Sequence, residues 1–212
     1  MTARTLILLR HAKAETPGEL LDVERRLTDR GRRDASAAGS WLALQGLLPG
    51  LVLCSSATRT RQTWHAVATA LTREEAALGR DEMSLREDVA LAEQAARESE
   101  GPPTNEEPAQ TTRTAAAAPA APEVRFVDGL YDAGRTEVID LLRAVPDSVG
   151  TVLVVGHNPT MSDVSLLLSA GTGATIREGL ATSGIAVHRV EGSWSATEPG
   201  SMPLVTTHTA RG

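Results

Sequence analysis

Three short, unbroken apolar runs set most of what this chain can fold into: residues 5–9 (Thr-Leu-Ile-Leu-Leu), 51–54 (Leu-Val-Leu-Cys) and 151–155 (Thr-Val-Leu-Val-Val). None alternates polar with apolar positions, which is the pattern of strands buried on both faces. The third is rich in β-branched valine, a further strand signal. Each run ends at a polar or glycine-containing turn. Apolar residues at helical spacing then follow, over 31–45, 60–71 and 159–168. Thr28 has the chemistry of an N-cap for the first helix, and Pro159 suits the first turn of the third. Two more strands are expected at 124–127 and 184–190, with a helix at 136–145. This alternation predicts an α/β fold, a three-layer α/β/α sandwich around a mostly parallel central sheet. In such folds ligands sit at the carboxyl ends of the strands.

The length, 212 residues, suits one sizeable core, and a single domain spanning 1–212 is expected. Aromatic residues make up only 2% of the chain, so packing must rest on aliphatic side chains, with Trp41, Trp64 and Trp194 as the large exceptions. One stretch does not fit the core. Residues 92–123 lack Val, Ile, Leu, Met, Phe, Trp and Tyr altogether and contain five prolines and the alanine run 115–118. Such a sequence buries too little apolar surface to offset its ordering entropy, and it reads as a flexible acidic Ala/Pro-rich insert. Just before it, Leu78, Met83, Leu85, Val89 and Leu91 fit either one amphipathic helix or a docking strand.

The net charge of -6 also belongs to this region. Residues 73–122 carry 5 basic and 11 acidic side chains, which leaves 16 of each elsewhere. A balanced remainder and an acidic insert argue against a nucleic-acid partner. No run approaches the ~20 apolar residues of a membrane span, so no membrane partner is expected. The start, residues 5–9, is too short for a signal-peptide core. Cys54 is the only cysteine, which excludes an intrachain disulfide and suits a reducing, cytoplasmic compartment.

The chemistry-bearing residues fall at the ends of the three apolar runs: Arg10-His11 after the first, Ser55 to Arg59 after the second, and Gly156-His157 after the third. Brought together at one sheet edge, two arginines and two histidines make an anion pocket. The planar guanidinium fork is the side chain best shaped to grip phosphate oxygens. Nearby positive charge also disfavours imidazolium, so His11 is expected to stay neutral and nucleophilic near neutral pH.

These residues resemble the histidine phosphatase superfamily, whose hallmark Arg-His-Gly appears here as Arg10-His11-Ala12. Within it, the chain is similar to the SixA-type phosphohistidine phosphatases. That likeness rests on Arg10-His11-Ala12-Lys13-Ala14, Arg25 with Leu27-Thr28 and Gly31, Ser55 through Arg59 to Gln62-Thr63, Leu130-Tyr131, and Val155-Gly156-His157-Asn158-Pro159. The resemblance implies a phosphoglycerate mutase-like fold and a metal-independent phosphatase without cofactor. In it His11 becomes phosphorylated while Arg10, Arg59 and His157 hold the phosphoryl oxygens. Ala12 departs from the hallmark glycine, and the insert lies outside the similarity. Asp132 sits near where other branches place an acidic proton donor; its other reading is a turn aspartate. Ser55 and Asn158 read as turn and capping residues that could also donate to phosphate.

Two rival chemistries lose their signatures here. A cysteine-dependent phosphatase needs five residues between its cysteine and arginine, whereas four separate Cys54 from Arg59 and six separate it from Arg61. No phosphate-binding glycine loop follows a strand. His65, His188 and His208 lack partners at metal-ligand spacing, so no metal site is expected. The substrate stays open between a phosphorylated protein carrying phosphohistidine and a small phosphate ester. A non-catalytic phosphate-binding signalling module is the remaining alternative, although it would gain little from a nucleophile.

Overall fold

The computed structural model describes residues 4–18, 21–99, 121–170, 176 and 178–212, with side chains as far as residue 80 in the helix that ends at Ser99. Strands β1 (Arg4–Arg10), β2 (Leu51–Ser55), β3 (Glu123–Val127), β4 (Thr151–Gly156), β5 (Gly184–Val190) and β6 (Leu204–Thr209) form one sheet in the order β3-β2-β4-β1-β5-β6. The first four are mutually parallel. Strand β5 runs antiparallel to β1, and β6 antiparallel to β5. Helices α1 (Asp29–Leu44), α2 (Thr58–Ser99), α3 (Arg135–Arg143) and α4 (Thr160–Leu168) complete the α/β fold.

Successive side chains of a strand point to opposite faces, and both faces here are covered. Leu6, Leu8, Leu53, Val152 and Val154 pack on one side with Val138 and Leu142 of α3 and Val164 and Leu168 of α4. Ile7, Leu9, Val52, Leu153 and Val155 pack on the other with Ala38 and Leu42 of α1 and Trp64 and Val67 of α2. This two-sided burial is why the apolar runs carry no alternation. Gly39 of α1 lies against α2 so closely that a Cβ would meet the Val67 carbonyl oxygen at 2.3 Å. Thr28 caps α1 as expected, its hydroxyl accepting from the Gly31 N–H (3.0 Å).

The structure differs from the sequence reading in three places. Helix α2 continues to Ser99, far beyond residue 71, so 73–91 are helical and so are the first eight residues of the stretch read as a flexible insert. Alanine, glutamate, glutamine and arginine dominate 92–98 and are strong helix formers even where they bury nothing. Residues 100–120 of that stretch lie outside the described residues, whereas Glu123 already belongs to β3. Strand β6 is an addition; its mostly exposed Leu-Val-Thr-Thr-His-Thr edge carries no core-facing pattern to announce it. A short 3-10 helix at Asp22–Glu24 was equally silent. Among the described residues no helix is long and apolar enough to cross a membrane.

One buried polar chain ties α4 to the sheet. His188 of β5 and Ser165 of α4 are both fully buried. The Met202 carbonyl lies 3.0 Å from His188 Nδ1 and accepts its proton, so Nε2 accepts from the Ser165 hydroxyl at 2.8 Å. Burial pushes the His188 pKa below the ordinary imidazole value. The unfolded chain therefore takes up the proton first, and the stability this neutral form contributes is present above about pH 6.5 and lost as the pH falls below it. Ser165→Ala strands Nε2 in the core and is expected to cost about 1–3 kcal/mol in urea unfolding near neutral pH. An unchanged midpoint would show that the imidazole does not depend on this hydroxyl.

Candidate active site

Register brings the predicted residues together. Arg10, the last residue of β1, pairs with Gly156, the last residue of β4, and Cys54 near the end of β2 pairs with Val155. The three strands thus end side by side, delivering Arg10-His11, Ser55 and His157 to one edge of the sheet. The His11 N–H bonds the Gly156 carbonyl at 3.0 Å, extending that pairing by one residue.

His11 is held in one tautomer. Its Nδ1 lies 2.8 Å from the Ala12 carbonyl oxygen, which only accepts, so Nδ1 carries the proton and Nε2 keeps a free lone pair. Ala12 is fully buried, and its N–H donates to Thr63 Oγ1 (3.1 Å), whose hydroxyl donates to the Arg59 carbonyl (2.7 Å). The nucleophile's backbone is thereby tied to the turn of α2 that carries Arg59. The Thr28 N–H and hydroxyl both donate to the Lys13 carbonyl, pinning the loop after β1 against the start of α1. At Gly31 a Cβ would lie 2.1 Å from that carbonyl oxygen, so only glycine permits the approach.

Burial chiefly, and then the charges of Arg59, Arg10 and Arg25, push the His11 pKa down to about 4, although its bond to Ala12 works the other way. The sequence argument named the arginines and missed the larger cause, desolvation. His157 is only 8% exposed and accepts from or donates to Ser55 Oγ through Nε2 at 3.0 Å. Its pKa is pushed down to about 3, first by burial and next by His11. The two imidazole rings lie 5.2 Å apart. Both are neutral across the physiological range.

Arg59 is 6% exposed, and its two terminal nitrogens donate to Asp22, one to the backbone oxygen (2.5 Å) and one to Oδ2 (2.9 Å). The Asp22 carboxylate also accepts from Arg25 (2.6 Å) and from the Tyr131 hydroxyl (2.7 Å). Tyr131 stands edge-on to His157 with 5.5 Å between ring centres. Arg10 donates to the Leu180 carbonyl at 2.8 Å, and the Asn158 side-chain amide donates to the same oxygen at 2.8 Å. Asn158 is otherwise engaged by Ser162, whose hydroxyl donates to its Oδ1, so it anchors the Leu180 segment.

Five of the seven candidates therefore converge, Arg10, His11, Ser55, Arg59 and His157, with Asn158 supporting them from one step back. Asp132 does not join them. It is exposed, and no hydrogen bond that knits the site involves it; its neighbour Tyr131 turns inward instead. Thr63 and Tyr131 stood in the quoted motifs without an assigned role, and Asp22 and the Leu180 carbonyl were not foreseen as parts of the site. Tyr131 is the only tyrosine in the chain, which was a usable signal; Asp22 is one acidic residue in a charged loop and gave none.

Among the described residues four buried side-chain atoms have no hydrogen-bond partner: Arg10 Nε, Arg59 Nε, His157 Nδ1 and Ser183 Oγ. All four belong to residues at or beside His11, since the Ser183 N–H donates to the His11 carbonyl at 3.2 Å. Ser183 also adopts a left-handed backbone (φ 56°), a conformation uncommon outside glycine. Unpaired buried polar groups are costly and few in native interiors. Their concentration here marks a site completed by a polar ligand, and the donors among them favour an anion. No three His, Cys, Asp or Glu side chains converge to hold a metal ion among the described residues.

Comparison with known proteins agrees with this geometry. Residues 6–181 match the histidine phosphatase superfamily (branch 1). The uncharacterized protein Rv1276c of Mycobacterium tuberculosis is 34% identical over 209 residues, covering 96% of this chain and 100% of the relative. Among solved structures, one assigned as a phosphohistidine phosphatase SixA from Nakamurella multipartitia aligns at 28% identity with TM-score 0.66, covering 98% of this chain and 96% of that one. The protein histidine phosphatase SixA complexed with tungstate shares the fold, with TM-score 0.62 at 19% identity and coverage of 97% and 96%. A fold, a strand-end Arg-His pocket and a sequence match over most of its length place this chain in branch 1 of the histidine phosphatase superfamily, as a phosphatase of the SixA type.

Proposed function

We propose that this protein is a protein phosphohistidine phosphatase that works through a phosphorylated His11. The observation that carries the reading is the pairing of an unprotonated His11 Nε2, fixed by the Ala12 carbonyl, with buried and unpartnered donors on Arg10 and Arg59. A nucleophile and a preformed set of cationic donors around it are what transfer of a phosphoryl group requires.

The sequence of events follows from those groups. Nε2 attacks phosphorus, a P–Nε2 bond forms, and the bond to the leaving group breaks. Arg10 and Arg59 neutralise the charge spread over the phosphoryl oxygens in the transition state. Ser55 holds the His157 ring through Nε2, which leaves its buried, unpartnered Nδ1 to meet a phosphoryl oxygen. Water then attacks phosphorus, the P–Nε2 bond breaks, and orthophosphate and neutral His11 are released once the proton taken from water has been passed on. With a phosphohistidine substrate the departing imidazole, protonated on its other nitrogen, is already a competent leaving group. An exposed Asp132 outside the bonding network is compatible with such a substrate, which asks little of a general acid. The SixA assignment of the Nakamurella structure supports the same substrate class.

Phosphate release in EDTA, from a phosphohistidine-bearing protein and from p-nitrophenyl phosphate, tests the reading. His11→Ala is expected to lower turnover by a factor on the order of 10³–10⁶ while leaving the circular dichroism spectrum unchanged, with the phosphoprotein the better substrate. Equal activity in the variant would remove His11 as nucleophile. Titration of the His11 ring by NMR supplies the pH test. With a pKa near 4, His11 is expected to stay neutral on acidification from pH 8 to about 5 and to protonate below that, whereas an ordinary imidazole is half protonated at about pH 6.5. A midpoint near the ordinary value would contradict the buried, cation-flanked setting.

A further inference from the structure

Asp22 lies on no strand end and belongs to none of the chemistry-bearing motifs, yet its carboxylate meets three side chains at the site. Its carboxylate gathers Arg25 from just past its own short helix, Arg59 from α2 and Tyr131 from the segment after β3, at 2.6, 2.9 and 2.7 Å. Its backbone oxygen takes the remaining terminal nitrogen of Arg59 at 2.5 Å. Main chain and side chain of one residue thus grip the end of one guanidinium.

Two consequences follow from that grip. A guanidinium has five N–H donors in a rigid fork. With the end of the fork held by Asp22, the side edge remains, and its Nε is buried without a partner. Arg59 is consequently turned so that this edge is the one free to meet a phosphoryl group. The second consequence concerns charge. Arg10, Arg25 and Arg59 bring three positive charges, His11 and His157 are neutral, and Asp22 subtracts one, which leaves a pocket of about +2 facing a phosphoryl group of about −2. The Asp22 carboxylate stays ionised well below the usual range, held there first by the Tyr131 hydroxyl and then by Arg25. The Arg59–Asp22 pair is half open to solvent on the aspartate side, so its contribution to stability is small. Its effect is on orientation.

Building on the phosphatase reading above, we infer that Asp22 is a positioning residue: it aligns the side edge of Arg59 on the transferring phosphoryl group and limits the positive charge, so that the orthophosphate product is not held too tightly. Removing its charge frees Arg59 to rotate while making the pocket more cationic. The signature is a loss of rate without a loss of phosphate affinity, because binding alone gains from charge whereas the transition state needs geometry.

The experiment compares wild type with Asp22→Asn, in kcat on p-nitrophenyl phosphate and the phosphohistidine protein, and in the Kd of orthophosphate by calorimetry. The expected result is a kcat lower by about 10- to 100-fold with a Kd for orthophosphate that is unchanged or tighter. A kcat within about twofold of wild type, or rate and phosphate affinity lost together in a folded variant, overturns the assignment. Should Asp22→Asn fail to fold by circular dichroism, Tyr131→Phe releases the carboxylate from one partner without altering charge. It is expected to show the same split at smaller size, and a wild-type kcat there counts against Asp22. A wild type that turns over neither substrate overturns the phosphatase reading and this inference with it, whereas a working wild type matched by Asp22→Asn overturns this inference alone.

Discussion

The pairing of β1 with β4, in the register that sets Arg10 opposite Gly156, is the constraint on which the site depends. Parallel strands that end together hand their next residues to the same place, and here those residues are His11 and His157. A shift of one residue would turn each inward side chain to the other face of the sheet, and both halves of the core forbid it. Leu6 and Leu8 would exchange layers with Ile7 and Leu9, against helices already fitted to them. Packing energy of about 1.5–3 kcal/mol per buried aliphatic side chain therefore secures a geometry that polar residues at the sheet edge could not secure for themselves. The histidines are accurately placed because the leucines and valines below them have no alternative.

That support allows the edge itself to be electrostatically unfavourable. Burial lowers the pKa of Arg10 and holds both imidazoles neutral, and Arg59 is almost wholly enclosed. Compensation is partial: the Leu180 carbonyl for Arg10, Asp22 for Arg59, Ser55 for His157. The contrast with His188 is instructive. It is as buried as any residue in the chain, yet both of its nitrogens are paired, and it serves the core. Two buried histidines, both shifted downward, thus differ in one bond: both ring nitrogens of His188 have partners, whereas Nδ1 of His157 has none.

What the sequence made legible follows the same division. The apolar runs announced β1, β2 and β4, and their ends located Arg10, His11, Arg59 and His157, because runs of four or five apolar residues, β-branched in part and closed by polar or glycine turns, are too short for helices and fit strands buried on both faces. Thr28 was readable as a cap because N-cap chemistry is local. Edge strand β6 was not readable, since Val205, Thr206, Thr207 and Thr209 are exposed and the strand pairs with β5 through its backbone without an inward apolar pattern. The extent of α2 was misjudged because the absence of core-forming residues in 92–98 was taken as absence of structure, whereas helix propensity acts without burial. Asp22 was invisible for another reason. Its partners come from residues 25, 59 and 131, and nothing at short range distinguishes it from Glu15 or Glu24.

Residues that complete a site from a loop are therefore the ones that sequence spacing hides, and they are also the ones most free to tune it. Arg10, His11 and His157 are committed by the sheet, so their positions cannot change without the core. Asp22 stands on a three-residue 3-10 helix with no buried side chain, joined to the rest by hydrogen bonds and charge. Its displacement would cost little folding energy and would alter the orientation of Arg59 and the charge facing the substrate at once. On the reading proposed above, the core places His11 and His157, and this loop, being cheap to move, sets how Arg59 is turned toward the phosphoryl group.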